Sequence, residues 1–515
     1  MELNTLDLVC FVGFIVLVIV VSLYAGRKED NSQDYFLAGR KLSWWLIGLS
    51  LIASNISSEH FVGMSGKGYS LGLAIASYEW MAAITLILVA LFFLPRFLKI
   101  GIYTIPEYLE YRYNRTARTI MAVFMMVFYV MVTLATVLYS GALALYSIFD
   151  FPIVKGVWLI GVISGLYTAY GGLKAVVWSD LIQGTTLMIG GLVVLFLGFE
   201  AVGGWESFVA NSEDKLHTVL PWDHPEMPWV AVFIGGLWLP NIFYWGLNQF
   251  ITQRTLGAKS IDEGQKGILF GATLKLLIPF IVVFPGIMAY QLYADQIEIA
   301  DAAYPVLLKN LLPSGLFGVM FAALFGAVLS TMDSLLNSAA AIFTLDIYKT
   351  YINPEAKNRN IVRTGRIVTL VLVLAACLWA PVIGDFGSLY DYIQKFWGLI
   401  QPGIVAAFVF GILWKKVSPP AAIGGMLLNI PVYAGCLIMD EFLPAGEKIA
   451  FLHYMAITFV IISLYIIIVS SIWPNTKTIV MPERKEHLNF KTSLFVKVWS
   501  VLVFLATLTL YVIFY

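Results

Sequence analysis

The run Leu51-Ile-Ala-Ser-Asn-Ile-Ser-Ser-Glu-His60 lies inside an otherwise apolar segment, about 44 to 69, and leads into Gly63, Gly66 and Gly68. A helix crossing a bilayer satisfies each backbone N–H and C=O within itself, and a group left open against lipid costs several kcal/mol. Hydroxyl, amide and charged side chains packed this densely at mid-depth, with glycines after them, predict a broken span whose freed oxygens face protein or a cavity. A second such stretch, Gly235-Gly-Leu-Trp-Leu-Pro-Asn-Ile-Phe-Tyr-Trp245, falls in another apolar segment further along.

The rest of the chain supports a bilayer setting. It has 515 residues, 60% apolar and only 12% charged, against roughly 25% charged for a soluble domain. One span takes about 20 apolar residues, so a dozen or more fit and no large extramembrane head remains. The 32 basic and 32 acidic residues cancel, which gives no electrostatic case for nucleic acid. Cys10, Cys377 and Cys436 stand in apolar runs with no CxxC pair and read as packing residues.

Apolar runs between charged clusters give fourteen segments: 6–25, 44–69, 74–94, 120–148, 157–170, 175–197, 229–250, 268–290, 316–347, 368–383, 390–413, 421–439, 449–473 and 494–515. The first follows Glu2 and Asp7, with no basic leader and no small-residue cleavage pattern, and reads as a retained span. With the N-terminus outside, 25 Lys and Arg fall in inside loops and only Lys155, Lys215, Lys309 and Lys448 outside. That asymmetry predicts an N-out, C-out, all-α protein with fourteen transmembrane helices.

The two broken segments are the second and the seventh, five spans apart and opposite in direction. Two five-span units of opposite direction, each opening on a broken helix, are the signature of an inverted-repeat transporter with its sites at the breaks. The expected division is a flanking helix at 1–43, a first repeat at 44–201, an external loop at 202–228, a second repeat at 229–413 and three flanking helices at 414–515. Charges within spans are expensive and mark sites: Glu59, Glu79, Asp180, Lys275 and Asp333, with His60 beside them. They scatter over five spans, which fits an enclosed site better than the single ring of a channel filter.

In the ninth span Ala327, Ser330, Thr331 and Ser334 share one helical face. Their hydroxyls beside carbonyls freed between Ala53 and Ile56 would make a small, hard, uncharged oxygen cage that suits sodium. An isolated Ser/Thr pair more commonly bonds back to its own helix. His60, Glu79, Asn241, Lys275 and Gln394 offer donors and acceptors from five spans, with Tyr244 and Trp245 as aromatic faces. That mixture fits a neutral polyhydroxylated ligand, although a single buried histidine is more often a satisfied core residue. No HExxH or GxSxG occurs, and Gly66-Lys67-Gly68 lacks phosphate-loop spacing, so no enzyme is expected. Asn114-Arg-Thr116 has the form of a glycosylation sequon but falls in a basic inside loop.

Several long stretches carry a family resemblance: DYFLAGR (34–40), NIS (55–57), FVGMSGKGYSLGLAIASYEW (61–80), GIYTIPEYLE (101–110), YGGLKAVVWSDLIQ (170–183), NIFYWGLNQFITQRTL (241–256) and LNSAAAIFTLDIYK (336–349). Through them nearly the whole chain resembles the solute:sodium symporter family of the sodium/glucose cotransporter type, a bacterial sodium/galactose symporter especially. The resemblance implies the leucine-transporter fold with a 5+5 inverted repeat and a sodium-driven symporter in the cell membrane. Its cargo would be a hexose of the galactose or glucose type, or alternatively myo-inositol or another neutral polyol. It implies sugar contacts at His60, Glu79, Asn241, Lys275 and Gln394, and Tyr244 stacked on the sugar as inner gate. Met64, Tyr78 and Tyr390 match an outer gate, and Trp245 is a further gate residue. Sodium would sit at backbone oxygens of Ala53, Ile56 and Ala327 and hydroxyls of Ser330 and Thr331. A second sodium ion would fall at Asp180, Asp333 and Ser334. The expected partners are a small neutral sugar and sodium, with no nucleic acid and no organic cofactor, in a monomer or homodimer. Departures from the bacterial relative are His60 for Gln, Ala82 for Ser, Tyr390 for Phe, and Asp333 for a small apolar residue.

Overall fold

The computed structural model describes residues 5–25, 31–57, 59–386, 389–444, 448–484 and 491–515. Every regular element among them is helical, and only the isolated bridges Leu42↔Ala258 and Leu220↔Pro228 are extended pairings. Among the described residues eleven helices are long and apolar enough to cross a membrane, and three shorter apolar helices accompany them. In chain order they are α1 (Thr5–Ala25), α2 (Trp44–Asn55), α3 (Leu73–Ile100), α4 (Arg115–Tyr146), α5 (Ile153–Leu166), α6 (Gly172–Val202) and α7 (Trp229–Leu247). Then follow α8 (Ile261–Gln296), α9 (Leu316–Ile352), α10 (Asn358–Gly384), α11 (Gln401–Leu413), α12 (Pro419–Phe442), α13 (Phe451–Ile472) and α14 (Leu494–Ile513).

Burial separates core from rim. The most apolar stretch of α9 is 89% buried, whereas that of α1 is 11% buried. A helix that is apolar all round and yet exposed belongs against lipid, so α1 is a flanking helix and α9 an axis of the core. Helices α5 and α6 pack along α9, and α8 packs along α2. Gly172, at φ +57°, takes a backbone conformation closed to most side chains and divides α5 from α6. Gly184 lets α6 touch α2, because a Cβ there would stand 2.4 Å from that of Ala53. One turn earlier on α6, Asp180 is thereby delivered to the break.

Both expected interruptions are present. Helix α2 stops at Asn55, Ile56 is extended at φ −74° and ψ 104°, and the chain resumes as a wide turn over Glu59–Met64 and a helix over Ser65–Ser70. In α7 the helix lapses after Phe233 through Gly235 and Gly236, restarts at Trp238–Ile242, widens at Phe243–Leu247 and breaks again at Asn248. Pro240 lies in the first turn of its short helix, where no N–H partner is needed.

A third interruption corrects the sequence reading of 390–413 as one continuous span. The helix Leu389–Gly398 ends, and α11 begins anew at Gln401. Asn429 of α12 holds both ends: its amide donates to Gly398 O at 3.1 Å and to Leu399 O, and its oxygen accepts from Gly403 N at 2.7 Å. One side chain from a neighbouring helix satisfies backbone groups that the break strands.

The connections divide between two ends of the bundle. At one end Asp7 caps α9 through Gly315 N at 2.6 Å and Gly318 N at 3.0 Å, and His217 meets the Tyr515 carbonyl at 2.7 Å. At the other, Arg40 donates to Gly101 O at 2.6 Å, Arg112 to Gly411 O at 2.6 Å, and Arg118 pairs with Asp346 at 2.6 Å.

Candidate functional site

The breaks in α2 and α7 open onto one partly open cavity of about 130 Å³, bounded also by α3, α4, α8, α9, the helix Leu389–Gly398 and the start of α11. His60, Glu79, Asn241, Tyr244 and Lys275 line it, as do Met64, Tyr78 and Trp245. These eight sequence-predicted residues are thus brought together from four segments: Glu59–Met64, α3, α7 and α8. The side chains of Gln394 and Tyr390 lie outside the described residues.

Charge in this pocket is arranged around Lys275, buried on α8. Its ammonium bonds to the Glu79 carboxylate and to the Asn55 amide oxygen, and it stands 4.8 Å from the centre of the Trp245 ring. Glu79 is also 3.5 Å from His60 Nε2. A buried cation so surrounded is paired, hydrogen-bonded and capped by a π face, which offsets its desolvation. Tyr244 packs edge-on against Trp245 and Phe250, at 5.0 and 5.4 Å between centroids. Asn241 donates back to Leu237 O at 3.1 Å.

The predicted sodium residues also meet. Ser330 Oγ approaches Ala53 O at 3.4 Å, and Thr331 Oγ1 lies 3.4 Å from Ser54 O and 3.0 Å from Ala327 O. Ile56, the first residue past the helix, is buried. Uncharged oxygens from the end of α2 and one face of α9 therefore converge. Thr331 lines the polar cavity as well, so both sites share a wall.

The three residues expected to hold a second cation divide between two networks. Asp180 accepts from Ser50 and Ser330 at 2.5 Å each and from Ser54 at 3.0 Å, with Arg254 at 3.7 Å. Ser334 joins this network through Ser54 and Arg254, at 2.9 Å each. Asp333 instead accepts from Ser164 at 2.8 Å and Thr168 at 2.6 Å on the α5 side. Arg254, which the charge pattern places in a basic inside loop, stands elsewhere. After the Asn248 break the helix Gln249–Leu256 tucks back into the protein and buries it completely.

Other contributors were not singled out from sequence. Asn55 touches both Lys275 and, at 2.9 Å, the Tyr244 hydroxyl. Thr133 and Gln401 line the cavity, and Thr133 Oγ1 and Gln401 Oε1, like Glu59 Oε1 and His60 Nδ1, are buried with no protein hydrogen-bond partner among the described residues. Their apolar sequence neighbours hid the first two; only the fold turns them inward.

A helical bundle with broken spans, a polar cavity at their crossing and an oxygen cage on its wall defines a membrane-embedded secondary transporter. The sodium:solute symporter family model matches residues 35–429, and the chain belongs to that family. It is 44% identical over 491 residues to a sodium/glucose cotransporter of Vibrio parahaemolyticus, spanning 90% of each chain. It is 32% identical to a sodium/myo-inositol cotransporter 2 of Sus scrofa, over 91% of this chain and 77% of that one. Its fold superposes on a substrate-bound, outward-open Na⁺-coupled sialic acid symporter with a TM-score of 0.82 at 22% identity, covering 94% of this chain and 100% of that one. The protein is a multi-pass, sodium-coupled solute symporter of the leucine-transporter fold.

Proposed function

We propose that this symporter imports a neutral polyhydroxylated solute, a hexose of galactose or glucose type, by alternating access with the basic loops facing the cell interior. The observation that carries this reading is the set of unpartnered polar atoms on the cavity wall, from His60, Glu59, Thr133 and Gln401. A buried polar atom without a partner costs about 1–3 kcal/mol, and a ligand bearing hydroxyls around its ring, each able to donate and accept, offsets that cost. Lys275 is already balanced by Glu79, so among the described residues no Lys or Arg on the cavity wall is left unpaired to hold an anionic solute. His60, Glu79, Asn241, Lys275 and Gln394 would hold the solute and Tyr244 would stack on it.

Sodium would bind at Ala53, Ile56, Ala327, Ser330 and Thr331, join α2 to α9, and through Asn55 and Thr331 shape the pocket. Met64, Tyr78 and Tyr390 would then close outside, and displacement of Tyr244 with Trp245 would open the inner side. The solute crosses unchanged, without catalysis or organic cofactor. The proposed division into repeats at 44–201 and 229–413 puts one break at the head of each.

A second reading, myo-inositol, is favoured by the relatives named for that cargo and by polar atoms on several sides of the cavity. Uptake of labelled galactose, glucose and myo-inositol into proteoliposomes separates the two. Galactose or glucose uptake at least tenfold above inositol supports the hexose reading, and the reverse order replaces it with the cyclitol.

A further inference from the structure

At the basic end of the bundle a second concavity, of about 520 Å³, lies between the end of α3, the end of α11 and the segment after α13. Its described lining carries six cations, Arg96, Lys99, Arg112, Lys415, Lys416 and Lys477, against one carboxylate, Glu483. Basic inside loops are general in membrane proteins, but here the charges converge from three distant stretches into a built pocket. Arg112 fixes its floor by donating to Gly411 O at 2.6 Å and Trp414 O at 2.9 Å. The chain after α13 straps across it: Asn475 N bonds to Lys416 O and Arg484 N to Lys99 O, each at 2.9 Å, and Glu483 pairs with Lys99 at 2.9 Å. Lys415, Lys416 and Lys477 make no ion pair among the described residues and are exposed.

Immediately beside this pocket runs an apolar groove of about 560 Å³ formed by Val409, Phe410, Leu413, Trp414, Phe459 and Ile467. The last turns of α11 separate the two, since Gly411, Ile412, Lys415 and Lys416 face the basic side while Val409, Phe410, Leu413 and Trp414 face the apolar one. A phosphate alone would use half of this arrangement, and a neutral acyl chain the other half. We propose that the paired concavities bind one anionic phospholipid, its phosphate among Lys415, Lys416 and Lys477 and an acyl chain along Val409, Leu413 and Phe459. Cations of this kind near an anionic headgroup are each worth about fivefold in affinity. Trp414 lies at the junction, where an indole suits the boundary between headgroup and chain.

The test is native mass spectrometry of the full-length protein titrated with phosphatidylglycerol, with phosphatidylcholine of the same chains, and with glycerol 3-phosphate as competitor. The wild-type protein should retain phosphatidylglycerol at least tenfold more tightly than phosphatidylcholine, and glycerol 3-phosphate should not displace it. Lys415→Gln with Lys416→Gln and Lys477→Gln should weaken retention on the order of 100-fold, and Val409→Trp, which fills the groove, at least tenfold. Equal retention of both lipids, displacement by glycerol 3-phosphate, or a triple variant that keeps its phosphatidylglycerol would each overturn the proposal. Because the lipid comparison and the competition use wild-type protein, a variant that misfolds does not remove the test.

Discussion

The Asn55 side-chain amide donates to the Tyr244 hydroxyl at 2.9 Å, so the last residue before the α2 break is tied to an aromatic ring of α7. The same amide's oxygen accepts from Lys275. Anything that moves the end of α2, as sodium would, therefore moves both a polar anchor and an aromatic wall of the cavity. Asn55→Ala strands two buried groups at about 1–3 kcal/mol each. The concentrations of solute and of sodium giving half-maximal uptake should both rise, roughly 10- to 100-fold. Uptake curves at fixed sodium and at fixed solute check this, and a change in only one of them contradicts the link.

Glu79 and Lys275 form a buried ion pair, and removing one member leaves the other uncompensated at about 3–5 kcal/mol. Glu79→Ala should abolish uptake and lower the melting temperature. Glu79→Gln with Lys275→Met, which removes both charges, should regain stability but not transport. Recovery of uptake in the double variant would show the pair to be scaffold only. Gln394→Ala should also abolish uptake, with protein levels near normal.

Ser330→Ala with Thr331→Ala removes both hydroxyls that face Ala53 O and Ser54 O. The sodium concentration for half-maximal uptake should rise at least tenfold while expression is kept. An unaltered sodium dependence would move the ion elsewhere.

Asp180 already faces the buried Arg254 guanidinium, whereas Asp333 is held with Ser164 and Thr168. Groups in separate networks usually contribute additively. Sodium affinities of Asp180→Asn, Asp333→Asn and the double variant should then add within about 0.5 kcal/mol. Strong coupling between the two, together with a sodium-to-solute ratio of two falling to one, would support a single shared second site.

How legible was this in the sequence? The breaks at 51–60 and 235–245 were, because polar and glycine-rich runs inside apolar segments conflict with an unbroken bilayer helix whatever surrounds them. Intramembrane charge likewise exposed Glu79, Lys275 and Asp180. The division at Leu399-Ile400 was not, although Gly398 and Gln401-Pro402-Gly403 flank it: the gap is only two apolar residues long, and its backbone is satisfied by Asn429 from another helix. Arg254 was misplaced for a related reason: composition cannot tell a basic loop from a helix that folds back into the core. Thr133 and Gln401 needed the fold to turn them toward the cavity, and Asn55 was read only as part of a break.

The central claim is that sodium at the α2 break drives a solute through the adjoining cavity. One charge moving through 100 mV supplies about 2.3 kcal/mol, and a tenfold sodium gradient roughly 1.4 kcal/mol more, enough for accumulation of a few hundred-fold per ion. The most direct measurement is tracer hexose and inositol accumulation in proteoliposomes under an imposed inward sodium gradient, with and without a sodium ionophore. The expected result is a solute concentration inside well above that outside, which collapses when the ionophore is added and does not form with potassium in place of sodium. Simple equilibration, or accumulation indifferent to the cation, would contradict it.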